Sequence, residues 1–100
     1  MQDGRAIQLY RIAQEALHNA AKHANAKHIS VSLTTQNGAW MLTVKDDGIG
    51  LPSDPQAANG MGLRIMRYRA HMIGGTLSVR NDDGGGVIVS CSTPANQKDE

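Results

Sequence analysis

The chain of 100 residues has one cysteine, three prolines, no phenylalanine and only 3% aromatic side chains. Each shortage excludes something. Cys91 alone can form neither an intramolecular disulfide nor a cysteine-rich metal cage, so a reducing compartment is expected and Cys91 reads as a small buried hydrophobe. One Trp and two Tyr make no stacking platform for bases, which argues against a single-strand nucleic-acid binder. Ten Lys and Arg nearly balance nine Asp and Glu, and a formal charge of +1 offers neither a nucleic-acid footprint nor an acidic tail. No apolar run approaches the roughly 20 residues of a membrane span, and Met-Gln-Asp-Gly-Arg lacks the basic-then-apolar order of a signal peptide. The expectation is a cytosolic, monomeric fragment that binds no nucleic acid. Its abrupt start just before a strong helix suggests a piece of a longer polypeptide.

What is present suffices for one domain. A chain of this length buries roughly two-thirds of its unfolded surface, and with 40% hydrophobic residues but few aromatics, aliphatic side chains and Met must fill the core. Residues 1–94 are expected to form that domain and residues 95–100 a short polar tail. From about Arg5 to Ala24 there is no Gly or Pro, which predicts a helix. One stripe of it is apolar, with Leu9, Ala13, Ala16, Ala20 and Ala24 and with Leu17 beside them. A second stripe carries Ile12, Glu15, Asn19 and Lys22, an acid, an amide and a base in line rather than alternating solvent-facing charges.

Ile29, Val31 and Leu33 alternate with Ser30, Ser32 and Thr34, which predicts a strand with one wet face, and Asn37-Gly38 supplies a hairpin turn. The returning strand sets Trp40, Leu42 and Val44 on one face, and the period of two puts Asp46 in phase with them. A carboxylate there must find partners or belong to a pocket, because burying it unpaired costs several kcal/mol. A glycine-containing loop follows to residue 62, then a helix from Leu63 to about Ile73 with Leu63, Met66, Ala70 and Ile73 on one side and Gly74-Gly75 at its end. Leu77 and Val79 alternate, Asp82 to Gly86 turns the chain, and Val87, Val89 and Cys91 alternate toward Pro94. Two hairpin-like strand pairs, each after a helix, predict the α+β class: a two-layer sandwich whose mixed, largely antiparallel sheet is covered on one face by helices.

Each candidate motif taken alone is weak, since glycine pairs occur in many turns and a helical Asn is commonly a solvated amide. Their order is informative. Glu15-x-x-x-Asn19-x-x-Lys22-His23 lies on a helix, Asp46-Asp47-Gly48-Ile49-Gly50 follows a strand, and Gly60-Met61-Gly62-Leu63 opens a second helix. This set resembles the N, G1 and G2 boxes of the ATP-binding domain shared by sensor histidine kinases, gyrase, the Hsp90 chaperones and MutL, over about residues 5–94. Tyr-Arg-Ile-Ala-Gln-Glu-Ala-Leu-His-Asn-Ala-Ala-Lys-His-Ala and Gly-Met-Gly-Leu-Arg-Ile-Met-Arg-Tyr-Arg-Ala look most like sensor kinases of the nitrate-sensor and membrane-fluidity-sensor type. The resemblance implies the Bergerat ATP-binding fold, with Mg²⁺ and ATP as cofactors.

Asn19 offers a neutral oxygen, and its counterpart in the family binds Mg²⁺, which accepts one or two protein oxygens and keeps several waters. Lys22 could neutralise a phosphate oxygen and His23 could add a donor. Asp46 suits an adenine pocket, because a carboxylate accepts from the exocyclic amine and rejects a base with a carbonyl there; this is the family's role for it. Gly48 and Gly50 would let backbone approach the ring. Asp47 is either a solvated neighbour or a direct contact. Gly60 and Gly62 precede a helix start whose free N–H groups attract phosphate, and Leu63 would anchor that helix. Leu51 to Asn59 would form a lid, ordered with ligand present.

Glu15 separates two mechanisms. In the self-contained ATPases of the superfamily a glutamate at this spacing polarises water, whereas in the sensor kinases the acceptor is a histidine on another domain, so Glu15 is expected to orient the metal shell or assist transfer. His18, His23, His28 and His71 are followed by Asn, Ala, Ile and Met rather than the acidic residue usual after the family's phosphoacceptor, and none has the i,i+4 pairing of a helical zinc site. His18, His28 and His71 therefore read as surface or partly buried imidazoles. The implied partners are a dimerisation domain bearing the phosphoacceptor histidine and, through it, a response regulator. Two other readings stay open: an anti-sigma-factor serine kinase with the same boxes, and a degenerate module that keeps the fold without nucleotide.

Overall fold

The first helix, α1, spans Arg5–His23, and the hairpin behind it pairs β1, Ile29–Gln36, with β2, Ala39–Asp46. A second helix, α2, covers Met61–Met72, and β3, Thr76–Asn81, and β4, Val87–Pro94, complete the chain. The computed structural model describes residues 4–23, 27–49 and 61–94. The expected tail at 95–100, the expected lid from Leu51 to Asn59, and Gly50 and Gly60 lie outside the described residues, as do the side chains of Lys22 and His23.

The four strands lie in the order β1-β2-β4-β3, and all three pairings are antiparallel. The two predicted strand pairs thus fuse into one sheet through β2 and β4, with no parallel pair among the described residues. Asn37 and Gly38 take the left-handed backbone of the expected hairpin turn, with φ of 54° and 78°. Helix α2 starts two residues before Leu63 and stops where Gly74, at φ 68°, turns the chain. There Gly74 N donates to His71 O at 3.0 Å and Gly75 N to Ala70 O at 2.8 Å, the bond pair that closes a helix end around a left-handed residue.

The core lies between the inner face of the sheet and the two helices. Leu9, Ile12 and Ala16 of α1 and Met66 and Ala70 of α2 pack on Leu42, Val44, Leu77, Val89 and Cys91. Two expectations need correction here. Ile12, placed by spacing beside Glu15 and Asn19, is fully buried, and Leu17 is 37% exposed. Strand β1 was expected to have one dry face, yet Val31 and Leu33, paired with Val44 and Leu42, are each 48% exposed. β1 is the edge strand of the described sheet, and α1 packs more on β2 than on it.

The helices run antiparallel. Arg69 Nη1 donates to Gln8 Oε1 at 2.9 Å near one end, while Gly62 at the start of α2 meets Glu15 and Asn19 toward the other. Arg5, at the start of α1, is buried and donates to the Pro94 carbonyl at the end of β4. Thr93 is buried beside it and donates its hydroxyl to Ile73 O at 2.7 Å, tying β4 to the end of α2.

Two tests follow from this packing. Ile12→Ala should cost about 2–5 kcal/mol in chemical denaturation, because the cavity opens where both helices meet the sheet. Cys91 is fully buried, and desolvation pushes its thiol up to about 11, so it should resist an aromatic disulfide reagent in buffer and react promptly in denaturant.

Candidate functional site

The connectivity gathers three chain ends. Helix α1 finishes at His23, five residues lie between it and the start of β1 at Ile29, and Ile29 pairs with Asp46, the last residue of β2. The C-terminal end of α1 and the end of β2 therefore lie at the same end of the sandwich. Helix α2 enters there too, since Gly62 packs on α1. A Cβ on Gly62 would overlap Glu15 Oε2 and stand 3.2 Å from Glu15 Cδ and 3.3 Å from Asn19 Nδ2. A side chain here would have to displace the Glu15 carboxylate, and the approach puts an acid and an amide from α1 against the first turn of α2. Leu63 is half-buried and packs on the core, which seats that turn.

Asp46 occupies the inner face, in phase with Leu42 and Val44, and is only 7% exposed. Its burial is compensated by backbone donors: Gly48 N reaches Oδ1 at 2.8 Å and Val87 N reaches the same oxygen at 3.3 Å. Both of these donors go to one carboxylate oxygen, which is thereby committed to the fold. The second donor is the first residue of β4, just after the turn from β3. Gly86 there, at φ 94°, is buried so tightly that a Cβ would overlap the Asp46 carbonyl and come within 2.9 Å of Asp47 Cα. The turn is closed by Asp82 N donating to Gly86 O at 3.0 Å and is pinned to β2 by the Lys45–Asp82 ion pair at 3.2 Å, which holds the Asp82 carboxyl below its usual range.

Asp47 is neither a bare solvated neighbour nor aligned with Asp46. Its Oδ1 accepts from Lys27 N at 2.8 Å and His28 N at 2.9 Å, its Oδ2 lies 2.8 Å from His28 Nδ1, and its own N–H donates to His28 O at 3.2 Å. Hydrogen bonds from the His28 backbone and ring, more than any other cause, hold the Asp47 carboxyl down to about 2. His28 is exposed, as expected, but engaged through this pair.

Of the residues picked from sequence, the structure brings Glu15, Asn19, Gly62 and Leu63 together at the α1–α2 contact and places Asp46 and Gly48 at the same end of the sheet. Lys22 and His23 continue α1 beyond Asn19. Gly86, Val87 and the Asp47 clamp were missed. The run Gly84-Gly85-Gly86 was the available signal for a close backbone approach, and it reads as a plain turn until β4 is known to lie beside β2.

The chain belongs to the histidine kinase-, DNA gyrase B- and HSP90-like ATPase family, HATPase_c, which matches residues 4–97. Among its relatives, the nitrate/nitrite sensor protein NarQ of Escherichia coli (strain K12) is 42% identical over 87 residues, 86% of this chain and 15% of that protein. The signal transduction histidine-protein kinase/phosphatase UhpB of Salmonella typhimurium is 38% identical over 90 residues, 90% of this chain and 18% of that protein. The chain thus spans under a fifth of these relatives. In three dimensions it is similar to the histidine kinase domain of the Erythrobacter litoralis EL346 blue-light activated histidine kinase, with a TM-score of 0.77, 30% identity, and coverage of 93% of this chain and 46% of that one. The ATP binding domain of PrrB from Mycobacterium tuberculosis aligns with a TM-score of 0.78 at 26% identity, covering 91% and 69%.

The two glycines respond differently to substitution. Gly62→Ala needs only the Glu15 carboxylate to swing aside, about 0.5–1.5 kcal/mol, whereas Gly86→Ala meets backbone at a left-handed φ and should lose at least about 1–3 kcal/mol of stability in thermal or urea melts. Acid gives a second test. Because Asp47 titrates near 2 when folded against 3.8 as the ordinary value, the unfolded chain takes up the proton first. Its stabilising contribution is complete above the upper value and disappears as pH falls through the lower one. Urea melts of Asp47→Asn should therefore lose pH dependence inside that window relative to the unsubstituted chain.

Proposed function

We propose that this chain is the ATP-binding catalytic domain of a two-component sensor histidine kinase, taking Mg-ATP at the α1–α2 end of the sheet and presenting the γ-phosphoryl group to a histidine on a separate dimerisation domain. The observation that supports this most is the close approach of Gly62 to Glu15 and Asn19, at the end of the sandwich where Asp46 closes β2. An acid, a side-chain amide and a helix start converge on phosphate chemistry, and a carboxylate oxygen beside small residues suits a flat base with an exocyclic amine.

Asp46 Oδ2 would accept from the adenine amine while Oδ1 stays with Gly48 and Val87. Gly48 and Gly50 would leave room for the ring. The first N–H groups of α2, opened by Gly60 and Gly62, would hold phosphate oxygens, with Leu63 fixing the helix that offers them. Lys22 would neutralise phosphate charge and His23 would add a donor. Bound Mg²⁺ would supply charge neutralisation between phosphates, held through the Asn19 oxygen. Glu15 would orient that shell or assist transfer; with a histidine as acceptor, activating water would waste the phosphoryl group. The chain alone is not expected to phosphorylate itself, and the phosphoryl group would pass from the partner domain to a response regulator. Residues 1–94 would form the catalytic unit, in the cytosol, with 95–100 as its tail.

Titration calorimetry of the chain with Mg-ATP tests this reading, and a folded sample that releases no heat overturns it in favour of a module without nucleotide. Asp46→Asn should weaken ATP by about 10–100-fold, the worth of a charged hydrogen bond, and leave inorganic triphosphate nearly unchanged. Asn19→Ala should reduce the Mg²⁺ dependence of binding. Mixing the chain with labelled ATP and a sensor-kinase dimerisation domain should label that domain's histidine; labelling of a serine on an anti-sigma antagonist instead would favour the serine-kinase alternative.

A further inference from the structure

The two neighbouring carboxylates at the end of β2 face opposite ways and have different partners. Asp46 points inward. Asp47 reaches across to the backbone that arrives from α1: Lys27 N and His28 N donate to Oδ1, and the His28 ring nitrogen meets Oδ2. A carboxylate can only accept, so Nδ1 of His28 carries the proton in that contact. With Asp47 N donating to His28 O, four hydrogen bonds join one residue of the strand end to two residues of the connection.

That connection is short. Between His23 and Ile29 only five residues link the helix to β1, and Asp47 holds the last two. Only three residues then separate His23 from Lys27, which caps how far the end of α1 can stand from the strand end, at no more than ~3.6 Å per residue. The clamp ties the end of α1, which bears Asn19, to the strand end that bears Asp46.

We infer that Asp47 is a positioning residue that sets the separation between the Asn19 side and the Asp46 side of the site, and so the length of nucleotide that can engage both at once. This rests on the nucleotide reading above. A ligand that uses both sides gains from their fixed spacing as two linked fragments gain over two separate ones, and a ligand that uses one side gains nothing from it.

The test compares ATP, adenosine and inorganic triphosphate, each with Mg²⁺, by NMR titration of the unsubstituted chain, Asp47→Ala and Asp47→Asn. Asp47→Ala should lose ~10-fold or more in ATP affinity while adenosine and triphosphate each stay within ~2-fold. Asp47→Asn keeps an oxygen for both amides and should recover most of the ATP affinity. If Asp47→Ala does not fold, Asp47→Ser, whose hydroxyl reaches fewer donors, should show the same ATP-only loss at smaller size. An unchanged ATP affinity in the Ala and Ser variants overturns the inference, and so does a parallel loss of all three ligands, which marks local collapse rather than lost spacing. Failure of the unsubstituted chain to bind ATP is a separate result and overturns the nucleotide reading itself.

Discussion

Asp46 is the constraint around which this fold is arranged. A carboxylate at the end of an inward-facing row of Leu42 and Val44 costs several kcal/mol unless donors meet it, and no side chain among the described residues does so. Two backbone amides take that part instead, one from the chain just after the strand and one from the first residue of β4. Backbone donors cannot swing away, so Oδ1 is held without a competing charge that would quench the acceptor on the other side. The cost falls on Gly86, which must sit against the Asp46 carbonyl in a conformation that side chains rarely adopt.

The strand order makes this possible. Because β4 lies between β2 and β3, the β3–β4 turn is delivered to the end of β2 and not to an edge of the sheet. The Lys45–Asp82 pair fastens the turn from the outer face while Val87 fastens it from the inner one. An exposed ion pair contributes little to stability by itself. Its value here is positional, since it restrains a turn whose displacement would free the Asp46 carboxylate. On the opposite flank the Asp47 clamp fixes the incoming connection, so both neighbours of the strand end are held by different means.

Local periodicity made much of this legible. Counting twos from Leu42 puts Asp46 on the inner face, and Gly62 stands out by its place before a helix, because both facts live within a few residues of chain. The steps of three and seven from Ile12 to Glu15 and Asn19 put all three on one stripe of a helical wheel, yet Ile12 alone of them is fully buried. Which part of that stripe is buried depends on where α2 lies, and α2 is about fifty residues away. The exposure of Val31 and Leu33 has the same origin: alternation shows that they share a face, and only the width of the helix layer determines whether that face is covered. Gly86 and the Asp47 clamp depend on strand order and on a connection closing across β1, which no window of sequence contains.

The α1–α2 contact carries one further consequence for the proposed chemistry. Glu15 already brings a carboxylate to the first turn of α2, where free N–H groups and the helix dipole favour an anion. A phosphate drawn to the same turn would stand near that carboxylate, and two like charges about 4 Å apart repel by ~4 kcal/mol at the effective dielectric of a protein surface. A divalent cation between them would change the sign of the interaction, and the Asn19 amide beside Glu15 would offer it a neutral oxygen without adding negative charge. On this account Glu15 does more than line the site. It would make an unaccompanied triphosphate a poor ligand and a metal-bound one a good ligand, which is the selectivity that the proposed phosphoryl donor site requires.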